Sequence, residues 1–348
     1  MRHFFTQSML SVVLLLFGVL GHAQIRTVSN TQIVREHQES FSGVKSVKID
    51  AQFSKEDVTG DSGSELKVNG KLMSDLKDDN YQVVSDVVDG VISISVRYPA
   101  QGWTTHSGEL SILLPEGIIL EVITTSGTVN VSELKNNEVK VTTRSGGIEV
   151  SNVVGNLKTM TATGTTRVNN VKGTVSLNSK NGAQHLQDVT GDVSVASTEG
   201  ELRLTNVTGQ VRTESTSGNQ TLLQIKGAIR GKAVNGNVKV SESEGEAAVV
   251  TFAGAINFHN FKGTMNLNST TGEQVGSRIT LTGSSNYKTT EGRIRMTMLN
   301  ATEELTFNCK SGTAFIQARG VSKKKKLNSG KGSIVVTSES NTGGQVFN

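Results

Sequence analysis

Residues 182–218 read GAQHLQDVTGDVSVASTEGELRLTNVTGQVRTESTSG, and their rhythm decides the fold. Glycine stands at 182, 191, 200, 209 and 218, once every nine residues. Apolar residues keep fixed offsets between these marks: Leu186 and Leu204, Val189 and Val207, Val193 and Val211. The pattern extends both ways. Glycines recur at 127, 146, 164, 182, 200, 218, 236, 254, 272, 292, 312 and 332, spaced by 19 residues, then seven times by 18, then three times by 20. A second glycine follows seven of them by nine residues, at 155, 173, 191, 209, 227, 245 and 263.

Each repeat can be numbered from its first glycine. Position +4 holds Val150, Val168, Leu186, Leu204, Leu222, Val240 and Phe258. Position +7 is apolar except at Ser243, and position +11 is apolar throughout. The alternation around these columns has period two, which means strands rather than helices. The glycines provide turns that can take positive φ. Position +6 is polar: Asn152, Asn170, Asp188, Asn206, Gln224, Glu242 and Asn260. Asn and Asp tolerate turn geometry, and stacked amides can bond along a column. Position +15 is small and mostly hydroxylated (Thr161, Ser179, Ser197, Ser215), which suits a tight corner.

These observations predict an all-β chain folded as a single elongated parallel β-solenoid, or β-helix, with 18–20 residues per coil. Coils in such a stack are about 4.8 Å apart. Proline fits the same picture. There are only two, and neither lies beyond residue 115, because every coil's N–H groups must bond to a neighbour. Regular repeats are expected over residues 124–338, irregular lead-in coils over 41–123, a polar leader over 24–40, and a tail over 339–348.

The 348 residues are 35% hydrophobic and 4% aromatic, with 37 glycines and one cysteine. That apolar content excludes intrinsic disorder, and a lone Cys309 excludes a disulfide scaffold. A net charge of +4 is too weak to argue for a nucleic-acid partner. Residues 1–23 have the form of a secretory signal: Arg2 and His3, an apolar run over Met9–Leu20, then Gly21-His22-Ala23. The run is shorter than the roughly 20 residues a spanning helix needs. The mature chain is expected to start at Gln24, to carry no membrane span, and to be periplasmic, cell-surface or secreted.

The segment Gly108-Glu109-Leu110-Ser111-Ile112-Leu113-Leu114-Pro115-Glu116-Gly117, followed by Thr125-Ser126-Gly127-Thr128-Val129 and the stacked repeats, resembles an exported bacterial β-strand-repeat family of unknown function, often labelled "putative adhesin". The resemblance covers roughly residues 41–338. It implies a β-helix-like fold and export, and carries no catalytic residues. Members often place Asp after the repeat glycine; among the repeat glycines here only Gly191-Asp192 does so.

Few residues point to chemistry. Gly60-Asp61-Ser62-Gly63 imitates a serine-protease nucleophile segment, but that chemistry needs a His base and an Asp orienter, and a polar turn is the better reading. Asp75, Asp78, Asp79, Asp86 and Asp89 lack the ordered spacing of a calcium loop and read as a solvated segment around a hairpin. His37, His106, His185 and His259 are too scattered for zinc. No cofactor or metal is implied. Position +3, pointing outward, reads Glu149, Arg167, His185, Arg203, Thr221, Lys239 and Asn257, a mostly basic stripe with Glu199 and Glu201 nearby. Neighbouring like charges are unfavourable on adjacent strands, so the stripe suggests an anionic ligand such as an acidic glycan, against the alternative of an ordinary wet face. Tyr98 and Trp103, in an irregular loop, could stack on a sugar or pack down as a cap. Lys323, Lys324, Lys325 and Lys326 could dock on phosphate-bearing lipid or glycan, or guard a strand edge against self-association. Inward positions would be costly for lysine, so the run is expected to loop out of the strand pattern.

The leading functional expectation is a non-enzymatic, exported, adhesin-like scaffold that binds a ligand or envelope component. The alternatives are a carbohydrate-active β-helix enzyme resembling a polysaccharide lyase, and a structural protein assembling end to end through its terminal coils.

Overall fold

The computed structural model describes residues 31–75, 77–99 and 105–348. They form 28 strands joined in one hydrogen-bonded system and a single 3-10 turn, Thr302–Glu304. In the middle of the chain each repeat is one coil of a parallel β-solenoid. Gln184–Thr190 lies between Thr166–Lys172 and Leu202–Thr208 on one face, with Arg167, His185 and Arg203 in direct register. Val193–Ser197 lies between Val175–Ser179 and Val211–Ser215 on the other.

Sequence chemistry fixes each bend. The +6 residues take left-handed backbone, with φ of 53° at Asn170, 56° at Asp188 and 53° at Asn206. Parts of the expected amide ladder form there: Asn170 Nδ2 donates to Asn152 Oδ1 at 2.7 Å, and Asn206 Nδ2 to Asp188 Oδ1 at 2.5 Å. The second glycine column also has positive φ, 140° at Gly191. The first column is glycine for a different reason. A Cβ on Gly200 would be driven into the carbonyl oxygen of Gly182 one coil below, and the same holds from Gly146 to Gly292. At this corner the +15 hydroxyls bond the next glycine's backbone, Ser197 Oγ accepting the Gly200 N–H at 2.8 Å and Ser215 Oγ donating to the Gly218 carbonyl at 2.7 Å.

The +4, +7 and +11 columns form the core. Leu186, Val189, Leu204, Val207 and Val211 are essentially inaccessible. Ser243, the polar exception at +7, is satisfied by accepting the Ile225 N–H and donating to the Ser241 carbonyl. Gln184, Gln220 and Gln274 are also buried, and their amides donate across the core to the carbonyls of Ala196, Lys232 and Lys288. A buried amide needs such partners.

Both ends depart from the expected regular stack. At the C-terminal end Leu305–Ala318 forms the outer coil, and the later strands Ile334–Ser340 and Gln345–Phe347 fill the gap between it and the coil of Ser285–Thr289 and Ile294–Met298. The glycine column therefore runs from Gly292 to Gly343, and Gly312 and Gly332 do not belong to it. Residues 339–348 are not a tail: Phe347 is buried against Tyr287 and Phe307. The lysine run does not loop out either. It lies on Val321–Gly330, an outermost strand antiparallel to Leu305–Ala318, where no coil beyond it forces a lysine into a core.

The N-terminal end is threaded the same way. The coil of Ser46–Gln52 and Lys55–Asp61 sits between that of Ile119–Thr124 and Val129–Ser132 and a later-in-sequence coil of Val91–Arg97 and His106–Pro115. Antiparallel strands finish it: Gln82–Val88 on one face, Glu65–Ser74 and Gln32–Ser42 on the other. Residues 32–40 are thus strand rather than loose leader. The signal-like segment 1–23 lies outside the described residues.

Candidate functional site

The +3 stripe comes together on the outer surface of one face. Parallel register puts Glu149, Arg167, His185 and Arg203 side by side on successive coils, about 4.8 Å apart. With the +5 residues Ser151, Asn169, Gln187 and Thr205 they line a shallow groove of about 460 Å³, floored by Val150, Val168 and Leu186. The two guanidiniums are more than half exposed and only loosely held, Arg167 to Glu149 at 3.7 Å and Arg203 to Glu201 at 3.5 Å. Exposed pairs of this kind contribute little and exchange easily for a better acceptor. Between them lie the His185 ring, two amides and two hydroxyls. The groove is rich in donors, with two forked cations placed to grip carboxylate, sulfate or phosphate.

The other sequence-derived residues lie elsewhere. Lys239 continues the stripe but is separated from Arg203 by Thr221. Lys323 to Lys326 are at the far C-terminal end, with Lys324 Nζ 5.0 Å above the Phe315 ring. Tyr98 packs edge-on against Phe53 at 5.0 Å and beside His106 at 5.1 Å. Trp103 lies outside the described residues. Gly60 and Asp61 end a strand, and Ser62 to Ser64 bend away from it.

Reactive chemistry has little to work with. Among the described residues no group of three or more His, Cys, Asp or Glu side chains is placed to hold a metal ion. Cys309 is buried, and burial pushes its thiol up to about 11. Glu56 is fully buried with both carboxylate oxygens unpartnered; burial, reinforced by the neighbouring Asp57 charge, pushes it up to about 9.

A second groove, of about 580 Å³, was not anticipated. It runs along the corner before the repeat glycines, where Val234, Val250 and Phe252 are 45%, 46% and 57% exposed beside Thr198, Thr216 and Thr270. Val234 and Phe252 are 18 residues apart in a column that holds Thr198 and Thr216 before them and Thr270 after. That substitution of apolar for polar was the available signal.

The described residues form a regular parallel β-solenoid with a polar outer groove, the architecture of a repeat scaffold. The chain belongs to the Toastrack DUF4097 family, whose model matches residues 44–226 and 207–343. Three solved structures align over most of their length. A putative cell adhesion protein from Clostridium sporogenes is 12% identical over 90% of this chain and 98% of its own, with a TM-score of 0.23. A putative adhesin from Parabacteroides merdae is 12% identical over 75% and 96%, at 0.25. One from Parabacteroides distasonis is 14% identical over 87% and 97%, at 0.25. No curated protein matches.

Proposed function

We propose that the protein is an exported, adhesin-like scaffold that acts by binding rather than by turnover, and that it holds an anionic chain such as an acidic glycan at the cell envelope. One observation carries this reading: Arg167 and Arg203 face outward two coils apart, over a groove whose other polar side chains, Glu149 apart, can donate hydrogen bonds. Two forks about 10 Å apart fit a polymer with repeated negative groups better than a small single anion. The signal-like residues 1–23 and the exposed, weakly paired cations support the same role.

A glycan array followed by titration tests it. Wild type should bind an acidic polysaccharide, and Arg167→Ala with Arg203→Ala should weaken that binding about tenfold or more while leaving the circular dichroism spectrum unchanged. Added salt should shrink the difference, since exposed charges are screened. Equal affinity of the two proteins at low salt would reduce the stripe to plain surface.

A further inference from the structure

The two ends of the solenoid carry opposite charge on the same longitudinal edge. At the C-terminal end the outermost strand, Val321–Gly330, exposes Lys323, Lys324, Lys325 and Lys326 and carries no acidic residue. At the N-terminal end Gln82–Val88, the outermost strand of one face, and its flanking turns carry Asp75, Asp78, Asp79, Asp86 and Asp89, with Lys77 among them, while Gln32–Ser42 stands outermost on the other face. Of these five, all but the half-buried Asp78 are exposed.

Strand register aligns the lysine corner with the corner of Asp75, Asp78 and Asp79, whereas Asp86 stands in the column that ends at Asn328. Lys326 pairs with Lys310, and that column descends through Glu339, Lys288, Asn268, Val250 and Lys232. It continues through Glu214, Ala196, Asn178, Met160, Thr142, Ile123, Asp50 and Ser95 to Val84, two residues from Asp86. On the second face Lys323 pairs with Ile316, and Gln345 stands next in that column. Between its two faces the chain turns the corner on Lys325 and Lys324 at one end, and on Asp75 and residues 77–81 at the other. A second copy laid on the open edge of Gln82–Val88, beside the projecting strand Gln32–Ser42, would bring the aspartate corner onto the lysine corner.

The backbone edges match as well. Among the described residues Val321–Gly330 pairs only with Leu305–Ala318, and Gln82–Val88 only with Val91–Arg97, so each presents an open backbone edge.

We propose that copies of this chain associate head to tail, the lysine-bearing end of one seated on the aspartate-bearing end of the next. Lysines alone would repel an approaching edge. Paired with an acidic end, the same lysines select that end and reject another lysine end, since electrostatic complementarity fixes partner and orientation. The contact joins two different surfaces, so it does not close on itself and yields linear oligomers. It is independent of the Arg167–Arg203 groove.

Charge reversal tests the pairing. Sedimentation of the purified protein at low salt should show mass rising with concentration, and 0.5 M salt should return it to monomer. Replacing Lys323, Lys324, Lys325 and Lys326 by Glu should lower the association constant about tenfold or more, and so should replacing Asp78, Asp79, Asp86 and Asp89 by Lys. Mixing the two variants should restore assembly, which a folding defect in either could not do. Three outcomes overturn the proposal: a wild type that stays monomeric, whether or not it adsorbs to anionic vesicles; stronger self-association once the lysines are removed, as an edge guard requires; or a mixture that fails to assemble.

Discussion

The middle coils and the two ends obey different rules. In the middle every coil lies on its predecessor in chain order, every pairing is parallel, and position in the sequence gives position in the stack. At the ends the order is broken. The coil of Val91–Arg97 and His106–Pro115 lies outside one that precedes it in sequence, and Leu305–Ala318 lies outside strands that follow it. Antiparallel strands then cover both. A parallel coil cannot cover its own last edge, because its next neighbour would be another coil. The hairpins stop the series, and the out-of-order threading holds Gln345–Phe347 between two coils where a simple terminus would fray.

The largest expected effect tests why the middle needs glycine. Gly200→Ala places a methyl group on the Gly182 carbonyl, so two coils must separate. Destabilisation of at least about 3 kcal/mol is expected from urea unfolding. Gly320→Ala, in the C-terminal hairpin, meets nothing within 4 Å and is strained only by its φ of 80°. It should cost about 1–2 kcal/mol. Similar losses at both sites would remove the distinction between close approach and backbone handedness.

The next prediction concerns an asymmetry between the ends. Glu56 is sealed under the N-terminal strands, in register with Leu110 and Val129. Its folded pKa is raised to about 9 from 4.5. The folded protein therefore keeps a proton that the unfolded chain has released between those values, and stability falls as pH rises through that window. Melting temperature should be higher at pH 5 than at pH 8. Glu56→Gln should flatten the slope and raise the pH 8 value by about 3 °C or more, with little change at pH 5. A variant with the parent's pH profile would show that the carboxyl is not held protonated.

Legibility followed the same division. The columns at +4, +6, +7, +11 and +15 could be read because a side chain's environment recurs every 18 residues, so each inference was repeated along the array. Gly312 and Gly332 continued a spacing of 20 without continuing the stack, since nothing local marks a chain that skips one level. Residues 339–348 read as a tail for the same reason. The buried carboxyl of Glu56 was hidden because the strands on either side of it, His106–Pro115 and Val129–Ser132, come later in the chain. The Arg167–His185–Arg203 stripe was legible as a column, but the groove was not, because its depth depends on the +5 side chains beside it.

The smallest effect refines the middle itself. Gln224 occupies the left-handed +6 position with φ of 56°, where Asn stands at 152, 170, 206 and 260. A long side chain gains nothing from that backbone, whereas Asn can bond the nearby backbone and tolerates the conformation better. Gln224→Asn should also bring an amide within the column that already joins Asn206 to Asp188. A gain of about 0.5 kcal/mol is expected, read as a rise of about 1–2 °C in melting temperature. The same exchange of Gln for Asn at Gln317, an exposed strand position with ordinary backbone, should give no gain. If both variants melt together, the +6 column is only a run of tolerated turns, and its polar character owes nothing to backbone handedness.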